Sequence, residues 1–245
     1  MFQKGKLSRY FGYAFGEIVL IVVGILIALQ ISNWNETRKN EQLGEELTKK
    51  LYAEMLETHA YSLGKLDELQ LQAHTIETFL NEGENMDKEA LKQKMSDGEA
   101  LPWNGISAYV FQVSINYVPP HSVYSAAVND GSIALVDNQE FQFLLEEIYI
   151  NRPEEMKDQY IRETRISDDL RVLMARNYSD RFHEFMERQS QGDVDAMYTM
   201  TLEFLQDNEI RYHLRQKRSL IRGRARRLND LFIQPTEELI KSFQP

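Results

Sequence analysis

Residues 10–31 read YFGYAFGEIVLIVVGILIALQI, and the reading of this stretch decides what kind of chain follows it. It carries one charge, Glu17, and one amide, Gln30. As an α-helix it is about 33 Å long, close to the roughly 30 Å of bilayer hydrocarbon. Its centre, 18–29, is apolar without interruption. Tyr10, Phe11 and Tyr13 stand at one end and Trp34 just past the other, where interfacial aromatics belong. A cleaved signal peptide needs small residues at its cleavage site, and Gln30, Ile31, Ser32, Asn33 and Trp34 give no such pattern. A helix lying in the interface needs a polar face, which 18–29 lacks. A buried core helix tolerates the apolar run but fits the basic start and the aromatic ends less well. The expectation is a transmembrane helix.

Lys4, Lys6 and Arg9 precede this helix with no acid among them, while Arg38, Lys39, Lys49 and Lys50 follow it. The nearest and densest positive charge is N-terminal. The expected topology is therefore single-pass in a cell inner membrane, with the N-terminus cytoplasmic and the remaining domain periplasmic.

At 100° per residue, Tyr10, Tyr13, Glu17, Gly24, Ala28 and Asn35 fall within about 60° of arc. Gly24 and Ala28 are small enough to admit a second helix, and Gly12 and Gly16 form another small pair at the same spacing. A carboxylate inside a span is costly and faces protein, water or a nearby cation. Two readings of Glu17 stand. It reaches toward Lys6 or Arg9 at the basic end, or it packs against another helix in a homo-oligomer or another membrane protein. Lipid and a helix partner are thus the expected contacts of the span.

Residues 8–39, SRYFGYAFGEIVLIVVGILIALQISNWNETRK, closely resemble the N-terminal signature of an uncharacterised family of bacterial single-span membrane proteins. The matching residues are Tyr13, Ala14, Gly16, Glu17, Gly24, Ile25, Leu26, Ile27, Ala28, Leu29, Gln30, Asn33, Trp34, Asn35 and Glu36. A looser likeness covers 122–149, where Tyr124, Gly131, Leu135, Asn138 and Tyr149 fit and Val136 and Phe141 replace the usual Ile and Leu. The resemblance implies membrane location and architecture; the family has no assigned chemistry, so it implies no mechanism.

Beyond the span the pattern is helical. Leu43, Leu47, Leu51, Met55, Leu56, Leu63, Leu66, Ile76, Phe79 and Leu80 recur mostly at three- and four-residue steps. No proline interrupts them, although Gly44 and Gly64 are positions where the helix could bend. Residues 81–85 (NEGEN) read as a loop, 86–95 as a short helix, and 96–105 as turn-rich. Residues 106–118 alternate too poorly for a strand. Ser122 is the expected N-cap of a helix stopping near Gly131, and Asp137 or Asn138 begins another that runs to about Asn151. Pro153 suits the first turn of a helix reaching about Gln189, with Ile166, Leu170, Leu173 and Met174 as its apolar stripe. Gln191, Gly192 and Asp193 form a linker. Helices over roughly 194–206 and 208–233 and a short one after Pro235 complete the chain. The expected fold is all-α: a basic tail (1–9), a transmembrane helix (10–31), a long juxtamembrane helix (32–82) and a soluble helical bundle (83–245).

The segment 211–227 contains Arg211, Arg215, Lys217, Arg218, Arg222, Arg224, Arg226 and Arg227 and no acid. Ile210, Leu214, Ile221, Ala225, Leu228 and Phe232 make one apolar stripe along it, so it is a basic amphipathic helix. Its charges are expected to face acidic helices such as the one bearing Glu45, Glu46, Glu54 and Glu57, or else anionic lipid or another acidic surface. A net charge of −10 speaks against nucleic acid as a partner.

The absence of cysteine excludes disulfides, thiolate catalysis and thiolate zinc sites. His59, His74, His121, His183 and His213 include no pair at helical metal-ligand spacing. No phosphate loop, dinucleotide fingerprint or nucleophile elbow is present. No cofactor and no metal are expected, and no enzyme activity. The functional expectation is a membrane-anchored structural or protein-interaction module. The alternative is a stator-like or sensor-type accessory subunit in which Glu17 serves as an intramembrane functional carboxylate.

Overall fold

The computed structural model describes residues 4–82, 87, 89, 90, 93 and 114–243. The expected helix over 86–95 and the turns after it fall largely outside the described residues. Helix α1, Lys4–Glu82, is one unbroken helix of 79 residues, about 118 Å long. Neither Gly44 nor Gly64 interrupts it. Along α1, every residue over 15–43 is exposed, and the most apolar part has a mean hydropathy of 2.4 with none of it buried. Burial begins at Gly44. From there Leu51, Met55, Leu69, Ile76 and Phe79 enter the core, each at most 1% exposed. One helix is thus a bare apolar rod at one end and a core element at the other.

After residues 114–121, which form no regular element, come α2 (Ser122–Asp130), a 3-10 turn (Ser132–Leu135) and α3 (Gln139–Glu146). A π turn (Glu147–Asn151) joins α3 to α4 (Arg152–Asn177). Then follow α5 (Ser179–Gln191), α6 (Val194–Phe204) and α7 (Asn208–Leu228), with a second π turn (Asn229–Ile233) leading into α8 (Gln234–Ser242). No strand occurs among the described residues.

The starts and stops have local causes. Asn138 caps α3, its side chain accepting from the Phe141 N–H at 2.9 Å. Asp193 caps α6 and Asp207 caps α7 in the same way. Gly131 (φ 77°) and Gly192 (φ 71°) end α2 and α5 in the left-handed conformation that glycine adopts without penalty.

The expected Ser122 cap is corrected. His121 is the N-cap residue and makes no side-chain cap bond, while Ser122 is the first residue of α2. The capping group comes from α1: the buried Glu54 carboxylate accepts from Val123 N–H at 2.7 Å, Tyr124 N–H at 2.9 Å and Ser122 Oγ at 3.2 Å. A carboxylate is well suited to this place, because it answers the orphan N–H groups and the positive end of the helix together.

One expected continuity is also revised. Pro153 and Pro235 stand in the first turns of α4 and α8 as expected, each directly after a π turn. A proline inside a helix removes one N–H and crowds the carbonyl four residues back. For Pro235 that carbonyl belongs to Leu231, and the Arg152 guanidinium donates to it at 2.7 Å. The single helix expected from Pro153 to about Gln189 divides at Tyr178. There the Tyr178 ring packs edge-on against Phe204 at 5.4 Å and its hydroxyl donates to Asp207 at 3.1 Å, so tertiary contacts override local helix propensity.

Helix α7 is the centre of the bundle. It runs antiparallel to α1, with Arg211 donating to the Leu80 carbonyl at 3.2 Å and His59 bonded to Thr236, beyond α7, at 2.9 Å. It also runs antiparallel to α4, with Arg176 near Glu209 at one end and Arg227 near Glu155 at the other. Helices α1 and α4 therefore flank α7 in parallel, and α5 and α6 close the far end through Phe185 and Phe204.

Candidate functional site

The expected stripe of α7 is buried as drawn: Ile210, Leu214, Ile221, Leu228 and Phe232 are fully buried and Ala225 is 9% exposed. Lys217 and Arg224 belong to the same side. Lys217 lies three residues after Leu214 and four before Ile221, and Arg224 three after Ile221 and four before Leu228. Both are completely buried. These two members of the basic face lie inside the bundle, because helical geometry places positions three and four apart together whatever their polarity. Of the remaining cations, Arg215, Arg222, Arg226 and Arg227 are exposed and Arg211 and Arg218 half-buried.

Opposite them, α4 presents Met156, Glu163, Ser167, Leu170 and Met174, all buried. Glu163 occupies a core position as Lys217 and Arg224 do. Arg224 donates to the Glu163 carboxylate and to the Ile115 carbonyl, and its guanidinium lies 5.7 Å from the centre of the Tyr160 ring. One arginine thereby ties α7 to α4 and to the segment 114–120. The Lys217 ammonium is pushed down to about 8 by burial, with Glu163 opposing the shift and Arg224 adding to it. Two cations and one carboxylate thus share the buried interior between α7 and α4.

A second polar seam runs along α1. Thr58 Oγ1 donates to the Pro120 carbonyl at 3.0 Å and lies 3.2 Å from the Tyr149 hydroxyl. Ser62 Oγ lies 2.9 Å from the Tyr117 hydroxyl, and the Val118 N–H donates to Tyr61 at 3.3 Å. Burial raises the hydroxyl pKa of Tyr117 and Tyr149 well above the ordinary phenol value, so both remain neutral hydrogen-bonding groups. Glu54, Thr58 and Ser62 succeed one another at four-residue steps and anchor residues 117–124. Glu54 is spent on α2 and does not face the basic helix. The α1 acid that does so is Glu77, which pairs with Arg222 and, at 3.4 Å, with Arg218.

The candidate residues of the apolar stretch stand apart from both seams. Glu17, Gly24 and Ala28 are exposed, and a Cβ at Gly16 or Gly24 would meet no atom within 4 Å. Gly12 belongs to the same helix. Among the described residues no group of three His, Cys, Asp or Glu is placed to hold a metal ion. The buried charges act as a latch: Arg224 and Glu163 are paired ions that tie α7 to α4.

The model of a family of unknown function, DUF6090, matches residues 17–160, well over half of the chain. The chain belongs to this family. The DUF6090 match starts at Glu17 and takes in the rest of α1, α2, α3 and the first turns of α4. It includes Gly44, Glu54, Thr58 and Tyr149, and stops just short of Glu163; Lys217 and Arg224 lie beyond it. No curated protein and no solved structure matches the chain.

Proposed function

We propose that this chain is a single-pass membrane protein whose helical domain is held off the bilayer by a continuous helix, and that it works as a structural or protein-interaction module rather than as an enzyme. The observation that carries the reading is the exposure of α1. Phe15, Ile18, Leu20, Ile21, Ile25, Leu26, Leu29 and Ile31 are each more than half exposed, although burying such a side chain is worth about 1.5–3 kcal/mol. An apolar surface of this extent requires a lipid or protein cover. The likeness of residues 8–39 to the signature of bacterial single-span membrane proteins supports the same reading.

From Ile31 to Gly44, where packing starts, is about 20 Å along α1. This polar segment forms a stalk. The domain is then oriented with α2 and the 3-10 turn nearest the membrane and the cations of α7 far from it. Arg211 and Arg222 lie beside Leu80 and Glu77, about 70 Å along α1 from Ile31. That distance argues against the anchoring bilayer as the partner of the basic helix and favours an acidic protein surface. Lys4, Lys6 and Arg9 ahead of the span support a cytoplasmic N-terminus in a cell inner membrane with the domain in the periplasm.

Alkaline carbonate extraction of membranes carrying the full chain tests the anchor: the protein should stay in the pellet, and release to the supernatant would contradict it. A stator-like or sensor-type role remains as a second reading because Glu17 is an exposed carboxylate within the apolar stretch of α1. Full rescue of a deletion phenotype by Glu17→Gln would eliminate it.

A further inference from the structure

We propose that α1 pairs with α1 of a second copy, in parallel and in register, along the face that carries Glu17, Gly24, Ala28, Asn35, Ala53 and Ala60. This deepens the membrane reading above and rests on it. At 100° per residue these six positions fall within about 40° of arc. The buried side of α1, marked by Gly44, Leu51, Thr58, Ser62 and Leu69, is centred roughly 160° away. The domain therefore hangs from one side of α1 and leaves the other bare, and all six residues are exposed. The face closes only near the far end, where Thr78 is buried on the same arc.

Three observations select a second copy as the occupant. First, the face changes chemistry where the medium changes. In the apolar stretch it offers Gly24 and Ala28, which let helices approach closely, beside a carboxylate that lipid alone does not satisfy. In the domain it offers Ala53 and Ala60, with the exposed Leu56 and Leu63 along one edge, about 60° and 80° from its centre. Leu56 and Leu63 are 43% and 42% exposed, among the few large apolar side chains the domain leaves in water. Second, a bilayer holds two copies parallel and level, so the small residues of one face meet their own counterparts on the other. Third, the edges are of mixed sign. Glu45 and Lys49 border the face on one side and Glu46 and Lys50, paired with each other at 2.7 Å, on the other, all exposed, which sets Glu45 of one copy near the Glu46–Lys50 pair of the second.

The chain contains no cysteine, so single substitutions read out the pairing directly. Asn35→Cys, Gln42→Cys, Ala53→Cys and Ala60→Cys place thiols on the proposed face. Asn33→Cys, Thr37→Cys and Asn40→Cys place them on the other side of the same exposed stalk. Each full-length variant is oxidised in native membranes with copper phenanthroline and run without reductant. The expected result is a disulfide-linked dimer several-fold more abundant for the first set than the second, with helical periodicity. Equal yields around the helix, a maximum on the opposite side, or no dimer at any position would overturn the pairing. Carbonate extraction of the same membranes separates the two claims. Protein retained in the pellet without periodic crosslinking overturns the pairing alone, and protein released overturns the anchor together with the in-register pairing.

Discussion

The backbone carbonyl of Leu135 occupies the place where a side chain on Gly44 would begin: a Cβ there would lie far inside contact distance of the Leu135 oxygen. This is where the domain first grips α1, at the end of the exposed segment. Gly64, on the same helix, has no atom within 4 Å of its missing Cβ. Two glycines of equal helix propensity thus have opposite roles. Gly44→Ala should destabilise the domain by about 1–3 kcal/mol through overpacking. Gly64→Ala should stabilise it by about 0.5–1 kcal/mol, the propensity gain alone. Urea unfolding of the detergent-solubilised protein, followed by circular dichroism, compares them; the same sign for both would refute the assignment.

The latch between Glu163 and Arg224 is to be tested by a double-mutant cycle. Removing one partner leaves a buried charge, so Arg224→Met should cost about 3–5 kcal/mol. Glu163→Met combined with Arg224→Met removes both charges and should recover most of that loss. An additive double mutant would show that the pair does not act as a unit.

Lys217 gives the protein a stability that depends on pH. Its folded pKa, about 8, lies below the ordinary 10.5. Between these values the unfolded chain binds more protons than the folded one, so stability rises with pH. Below about 8 both states are protonated and the full cost of burying the charge is present. Across pH 8 to 10 the gain should reach on the order of 2–3 kcal/mol. In Lys217→Met this rise should vanish. Unfolding free energies at both ends of the window measure it, and a parallel slope in the variant would rule out Lys217 as its source.

Glu54 bonds three groups at the start of α2, and Glu54→Ala should cost about 0.5–2 kcal/mol, as other lost caps do. Hydrogen exchange should rise first at Val123 and Tyr124. Unchanged protection there would show that α2 holds its N-terminus without α1.

The helical architecture was legible because it rests on periodicity. The apolar stripe of 210–232 is buried at the positions its spacing assigns, and so are Leu51, Met55, Ile76, Phe79 and Leu80 of the run 43–80, whereas Leu43, Leu56 and Leu63 of that run are exposed. The buried charges were not legible, because a pattern read from apolar residues alone sends Lys217 and Arg224 to the outer face. Their three- and four-residue spacing to Leu214, Ile221 and Leu228 was the available signal. Nor can one chain's local sequence reveal a cap supplied from 68 residues away, as by Glu54 to Ser122, or a Tyr178 break imposed by Phe204 and Asp207. The small-residue face of 17–35 was readable from the start, but its placement opposite the domain needed α1 to be one continuous helix.

That continuity, from lipid to core, is tested most directly by nitroxide accessibility at two single cysteines on the cysteine-free chain, Val22→Cys and Asn40→Cys, in reconstituted bilayers. The label at residue 22 should be relaxed strongly by oxygen and hardly at all by a water-soluble nickel complex, and the label at residue 40 should show the reverse. A label at residue 22 as open to nickel as the one at residue 40 would contradict a membrane-spanning α1.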